Sequence, residues 1–142
     1  MIDRQEHILI DAEFNEIICR LIYEFEMVSE VKIIFVAFGV YNMNLGYKGT
    51  SQKYNLFENL INEISIGINM NSDKLVTIFD CLNLLIRTDF IEINNGNIIK
   101  RKIPKNISNT INVMNSKMFI KLLVDIAKIS DQTLVKEVIR NV

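Results

Sequence analysis

Apolar residues recur at three- and four-residue steps from Phe14 through Ile17, Ile18, Leu21, Ile22 and Phe25 to Val28, with Glu13, Glu16, Arg20, Glu24 and Glu26 on the other side. That spacing lays one stripe along a 3.6-residue period and predicts an amphipathic helix over 14–28. Upstream, the short apolar run His7-Ile8-Leu9-Ile10 is expected to form an edge strand or an arm. Ser29-Glu30 reads as a break. Val31–Tyr41 then resumes as a helix that is apolar nearly all round, so most of its circumference must be buried or covered by a partner. Asn42–Tyr54, with Asn42, Asn44, Gly46, Gly49, Thr50 and Ser51, has the richest loop composition in the chain.

A second stripe of Leu56, Leu60, Ile61, Ile64 and Ile68 predicts a helix that fades at Gly67. After a turn at Asn69–Asn71, Ser72 is placed to cap a helix over about 73–88, with Asp73 at its positive end. Its inward positions are read as Leu75, Ile78, Phe79, Leu82, Leu85 and Ile86. Asn95-Gly96 then separates two β-branched runs, Phe90–Asn94 and Asn97–Lys102. Both residues tolerate the positive φ of a type I′ turn, so the segment predicts a β-hairpin. Beyond Pro104 come a polar connection and a helix over Lys117–Ile129. Ser130 caps a last helix carrying Leu134, Val135, Val138 and Ile139. The expected fold is mainly α with a small β-hairpin: a winged helix-turn-helix core flanked by N- and C-terminal helices. One domain of 142 residues is expected, divided into a helical part and loop (1–54), the winged helix-turn-helix (55–105) and the C-terminal helices (106–142).

Charge changes this picture more than composition does. The total is near neutral, with 16 Lys+Arg against 17 Asp+Glu. Residues 1–30, however, hold eight acids and two bases, whereas 93–124 hold six bases (Lys100, Arg101, Lys102, Lys105, Lys117, Lys121) and no acid. The chain is strongly polarised. Its start is acidic where a secretory signal is basic, and the run Val31–Tyr41 spans only about 16 Å as a helix against a hydrocarbon core of about 30 Å. A cytoplasmic protein with two reduced thiols is expected.

Little in the sequence carries chemistry. With one His and two Cys, a protein-only zinc site has too few ligands, and no metal or cofactor is expected. His7 has no Ser- or Cys-centred partner. Cys19 and Cys81 fall in apolar helical patterns and read as packing residues. Gly46-Tyr47-Lys48-Gly49-Thr50 lacks the Gly and Lys-Ser/Thr spacing of a phosphate loop. The helix expected to read DNA carries Asp73, Lys74, Thr77, Asp80, Asn83 and Arg87 on its polar side, a charge-neutral set without the Arg-rich edge of a major-groove reader. Lys100, Arg101, Lys102 and Lys105 on the wing can still meet phosphates or an acidic partner.

The acidic first helix, the nearly all-apolar second one, the module Leu75–Lys102 and the terminal Ser130-Asp131-Gln132-Thr133-Leu134 together resemble the middle components of ABC three-component systems, such as the LmuC subunit of the Lamassu anti-phage and anti-plasmid systems. The resemblance runs from about Asn15 to Val142 and rests on architecture and terminal pattern. It implies a non-catalytic accessory subunit beside an SMC- or Rad50-like ATPase and an effector, often a nuclease, which couples DNA sensing to effector activation. The opposed charges suit bridging: Glu16, Glu24, Glu26 and Glu30 would dock one partner, and the basic wing another or nucleic acid. Phe35, Phe38 and Tyr41 would anchor the contact. The rival reading is a winged-helix transcription regulator that binds DNA alone, and the third is a small enzyme without a recognised motif.

Overall fold

Ile10 lies one helical turn ahead of Phe14 and in register with its stripe, so the first helix begins well before the expected start. The computed structural model describes residues 4–25, 28–46, 56–70, 72–102 and 117–141, and its first helix, α1, spans Arg4–Glu24. The strand or arm expected at His7–Ile10 is thus part of α1. The helix closes with the Phe25 N–H donating to the Leu21 carbonyl at 3.0 Å. Val28 belongs instead to a two-residue strand, β1 (Val28–Ser29).

The central helix α2 runs from Glu30 to Gly46. It overruns the loop expected from Asn42 because packing outweighs composition there. Tyr41 stacks on Phe14, with ring centroids 4.3 Å apart, and Met43 is buried. The Asn42 Nδ2 donates to the Phe38 carbonyl at 3.0 Å, so this polar side chain is satisfied inside the helix. The remainder of the expected loop, 47–54, lies outside the described residues.

Helix α3 (Leu56–Met70) passes through Gly67 without fading, and helix α4 (Asp73–Arg87) follows. Two glycines explain how α2 and α3 meet. A Cβ at Gly39 would stand 2.5 Å from Leu60 Cδ1 and 2.7 Å from Ile64 Cγ1. One at Gly67 would stand 2.7 Å from the Phe38 ring and closer still to Asn42 Nδ2. Each glycine therefore makes room for side chains of the other helix. Helix α4 packs mainly on α1 and α2, while α3 packs on α2 and on the C-terminal helices. Ser72 departs from the expected cap: its backbone is helical and its side chain makes no capping hydrogen bond.

The C-terminus of α4 sets the direction of the hairpin. Phe90 N–H donates to Leu85 O at 3.0 Å and Asp89 N–H to Ile86 O at 3.1 Å, the paired bonds of a Schellman cap, with Asp89 at φ 63° where glycine is usual. Strands β2 (Ile91–Asn94) and β3 (Asn97–Lys100) pair antiparallel, Ile93 opposite Ile98 and Asn94 opposite Asn97. Asn95 (φ 53°) and Gly96 (φ 78°) supply the expected turn. β1 joins the other edge of β3, with Val28 opposite Ile98, giving a three-stranded sheet in the order β1-β3-β2.

Helices α5 (Lys117–Lys128) and α6 (Asp131–Asn141) close the chain. Ser130 caps α6 as expected, its Oγ accepting the Thr133 N–H at 3.1 Å. Ser29 fastens this pair to the rest. Its Oγ accepts the Lys32 N–H at 3.1 Å, capping α2, and donates to Asp131 Oδ1 at 2.7 Å. Lys32 Nζ donates to the Ala127 carbonyl at 3.4 Å, and Ser65 Oγ on α3 reaches the Val138 carbonyl of α6 at 3.1 Å. One core of buried apolar residues runs through all six helices and the sheet.

In an exposed helix interior, replacing glycine by alanine stabilises by about 0.5–1 kcal/mol. At Gly39 and Gly67 the sign is reversed: Gly39→Ala and Gly67→Ala should each lower unfolding free energy by about 1–3 kcal/mol, read from urea unfolding midpoints at unchanged m.

Candidate interaction surface

The wing is charged in sequence but largely engaged in the fold. Lys100, at the end of β3, donates from Nζ to the Tyr23 carbonyl at 3.1 Å and stands 5.7 Å from the centroid of the Tyr23 ring. Tyr23 belongs to the last turn of α1, where unpaired carbonyls concentrate negative potential, so a lysine is favoured there. Arg101 pairs with Glu92 on the adjoining strand. Lys102 is exposed, as are Lys117 and Lys121 on α5. Lys105 lies outside the described residues. Of the proposed wing contacts, Lys102 alone among the described residues has its ammonium uncommitted in this way.

The acidic residues do not form one strip either. Glu16 is half-buried and engaged within the chain, and Glu24 pairs with Arg20 at 3.6 Å. Glu26 lies outside the described residues. Glu30 opens a different helix, its N–H donating to the Gly96 carbonyl at 2.9 Å. The aromatic anchors need correction. Phe38 is fully buried and Tyr41 is 6% exposed, so both build the core and neither can reach a partner; Phe35 is half-buried against the same core. The nearly all-apolar α2 is covered by α1, α3, α4 and α6 of its own chain.

Sequence reasoning missed the outer face of α4. Ile78, Cys81, Leu82 and Leu85 are buried, but Phe79, expected to face inward, is 50% exposed. With Val76, 61% exposed and one turn away, it forms a small apolar pair; Leu84, 43% exposed, lies on the opposite flank of the helix, with Asp73, Asp80 and Arg87 between. The available signal was spacing: Val76, Phe79 and Asn83 follow each other at three and four residues, out of phase with the buried stripe. A second apolar feature is a groove of 630 Å³ between the end of α1 and α5, lined by Phe25, Ile120, Leu123, Val124 and Ala127. Another of 640 Å³ lies beside β2, with Asp89, Glu92, Arg101 and Lys102 on its walls.

Two titratable groups depart from their ordinary behaviour. Burial pushes the Cys19 thiol from 9.0 up to about 11, so at neutral pH it supplies no thiolate nucleophile. Cys81 is 3% exposed. Burial likewise raises the Glu63 carboxyl above 4.5. Among the described residues no group of three or more His, Cys, Asp or Glu is placed to hold a metal ion, and no helix is long and apolar enough to cross a membrane.

The fold defines a mainly helical protein with a small three-stranded antiparallel sheet, and exposed apolar side chains occur on α3 (Ile66, Met70), α4, α5 and α6 (Ile139). No family model, curated protein or solved structure matches the chain.

At pH 8 the native protein should alkylate at Cys19 ~100-fold more slowly than in denaturant, the ratio of thiolate fractions, with Cys81 also protected; mass spectrometry after iodoacetamide reads both. For Glu63, a raised folded-state pKa means that the folded protein holds this proton more tightly than the unfolded chain. Its contribution to stability is greatest below pH 4.5 and is lost as pH rises through the folded value. Glu63→Gln should therefore be more stable than the parent at pH 7, with the gain shrinking as pH is lowered toward 4.5, as followed by thermal unfolding across that range.

Proposed function

We propose that the protein is a non-catalytic, cytoplasmic accessory subunit that works by docking onto other proteins: a middle component of an SMC- or Rad50-like ATPase defence complex of the Lamassu type. In this role it bridges the ATPase and an effector nuclease and couples DNA sensing to effector activation. One observation carries the reading. The helix preceding the wing turns Val76, Phe79 and Leu84 to solvent, where a reader of base edges presents Arg, Lys, Asn or Gln. The exposed pair Val76 and Phe79, one turn apart, supports protein contact rather than phosphate contact. Commitment of Lys100 and Arg101 to intrachain partners points the same way.

The proposed core is winged-helix-like in a modified form. α1, α2 and α4 pack against one another, and the order β1-β3-β2 joins a strand before α2 to the hairpin after α4. α3 then stands as an addition between α2 and α4, carried on the α6 side. This differs from the expected helix-turn-helix of α3 and α4.

Co-expression with a coiled-coil ATPase of the SMC or Rad50 class from the same genome should give a complex that survives gel filtration, and Phe79→Glu should abolish it while leaving the circular dichroism of the subunit unchanged. The isolated chain should bind duplex DNA weakly, with a log–log salt slope shallower than about −2. If all six bases of 93–124 met phosphates the slope would approach about −5. Tight, sequence-dependent binding at that slope would replace the adaptor with the transcription regulator.

A further inference from the structure

Three exposed lysines of α5 stand in one line. At about 100° per residue, Lys117, Lys128 and Lys121 fall within about 40° of one another around the helix. Val124 lies next to them on one side, followed by Ile120 and Ala127, all three exposed, and then by buried Leu123. Asp125 lies on the other side of the lysines. Going round, the helix thus passes from its buried arc through an apolar strip to a basic edge. The strip lines the groove of 630 Å³ at the end of α1, where Phe25 and Leu123 are buried beneath it and Glu24 is already paired with Arg20. The basic edge is poorly compensated. Lys117 opens the helix, where the macrodipole places positive potential and the first turn offers no acid, and Lys121 repels it from one turn on. Only Lys128, in the last turn, is favoured by the dipole. Among the described residues no carboxylate pairs with any of the three.

We propose that this groove and its lysine edge dock an acidic amphipathic helix of another protein. The apolar side of such a helix covers Ile120 and Val124 in the groove, and carboxylates along one margin of that side meet the lysines. The line from Lys117 to Lys128 runs about 16 Å, so a helix lying along α5 matches it with acids at i, i+4 and i+11. Removal of apolar area from water supplies the affinity, and the charges fix direction and register. A phosphate backbone satisfies the lysines but leaves the apolar strip in water, which is why a protein helix fits this surface better than nucleic acid does. The surface belongs to α5 and the end of α1. It goes beyond the adaptor reading of α4 and does not depend on it.

Fluorescence anisotropy of a labelled synthetic helix of about 18 residues tests the docking on the full chain. The peptide carries Leu along one stripe and Glu at i, i+4 and i+11 along its margin, and a control peptide carries Lys in place of each Glu. The Glu peptide should bind with a Kd below about 100 µM, and the control at least about tenfold more weakly. Ile120→Glu and Val124→Glu, both at exposed positions, should each weaken the Glu peptide about tenfold or more. Lys121→Glu combined with Lys128→Glu should reverse the preference, so that the Lys peptide binds better. Phe79→Glu should leave the Glu peptide bound as before, which separates this surface from α4. Circular dichroism monitors folding of each variant. Absence of binding up to about 1 mM overturns the proposal, as does equal binding of the two peptides or binding that Val124→Glu leaves intact. Cosedimentation with vesicles of phosphatidylserine and phosphatidylcholine in place of peptide binding makes the edge a lipid contact. A dimer in sedimentation velocity that Val124→Glu dissolves makes it a contact with a second copy. Either result also overturns the proposal.

Discussion

The close crossing of α2 and α3 is the constraint on which the remaining architecture depends. α2 is apolar over most of its circumference, and it packs against α1, α3, α4 and α6 of its own chain. At the crossing with α3 a Cβ at either of two glycines would overlap the facing side chains. Gly39 and Gly67 permit that approach, each opening a recess for side chains of the opposite helix: Leu60 and Ile64 against Gly39, the Phe38 ring against Gly67. Interiors are packed too densely to absorb an added methyl group at either point without displacement. With α3 held there, α6 has a surface to cover, and the Ser65–Val138 contact fixes its level.

A second junction translates this packing into the position of the wing. Ser29 ends β1, caps α2 and binds Asp131 at the start of α6, so one hydroxyl coordinates three elements. Because β1 also pairs with β3, the level of the hairpin is tied to the level of α2. The Schellman turn at Asp89 fixes the other end, delivering β2 directly from α4. The hairpin is therefore located twice, once through the strand before α2 and once through the helix before β2.

Local periodicity made the helical stripes legible, and the turn residues Asn95-Gly96 identified the hairpin, because both signals are written within a dozen residues. Ser130 was legible for the same reason. Helix ends were less so. The start of α1 was hidden by a run of consecutive apolar residues, which has no distinct period, and the end of α2 by an Asn whose partner is a carbonyl one turn back. β1 was invisible: two residues cannot show an alternation, and Val28 continues the helical spacing of α1. The sidedness of Phe79 was misread because it stands at the margin of the apolar stripe of α4, and only the packing of α1 and α2 decides how far the buried arc extends. Phe38 and Tyr41 failed as surface anchors for a related reason. A helix apolar all round needs cover, and nothing local tells whether the cover comes from its own chain.

Charge shows most sharply how sequence and surface diverge. The N-terminal thirty residues and the segment 93–124 are opposite in sign, and as a sequence they look like two poles available to two partners. Folding brings the segments together instead. β1 closes the acidic segment against β3, and Lys100 is thereby placed beside the carbonyl and ring of Tyr23 at the end of α1. Arg101 meets Glu92 across the hairpin. At least part of the polarity thus acts inside the molecule, steering one segment onto the other, and is correspondingly weaker toward any outside surface. Exposed apolar side chains remain outward among the charges, Val76, Phe79 and Leu84 on α4 and Met70 and Ile139 on α3 and α6. Exposed apolar side chains gain little from a phosphate backbone and more from exclusion of water by another protein, which is the physical ground of the proposed adaptor role.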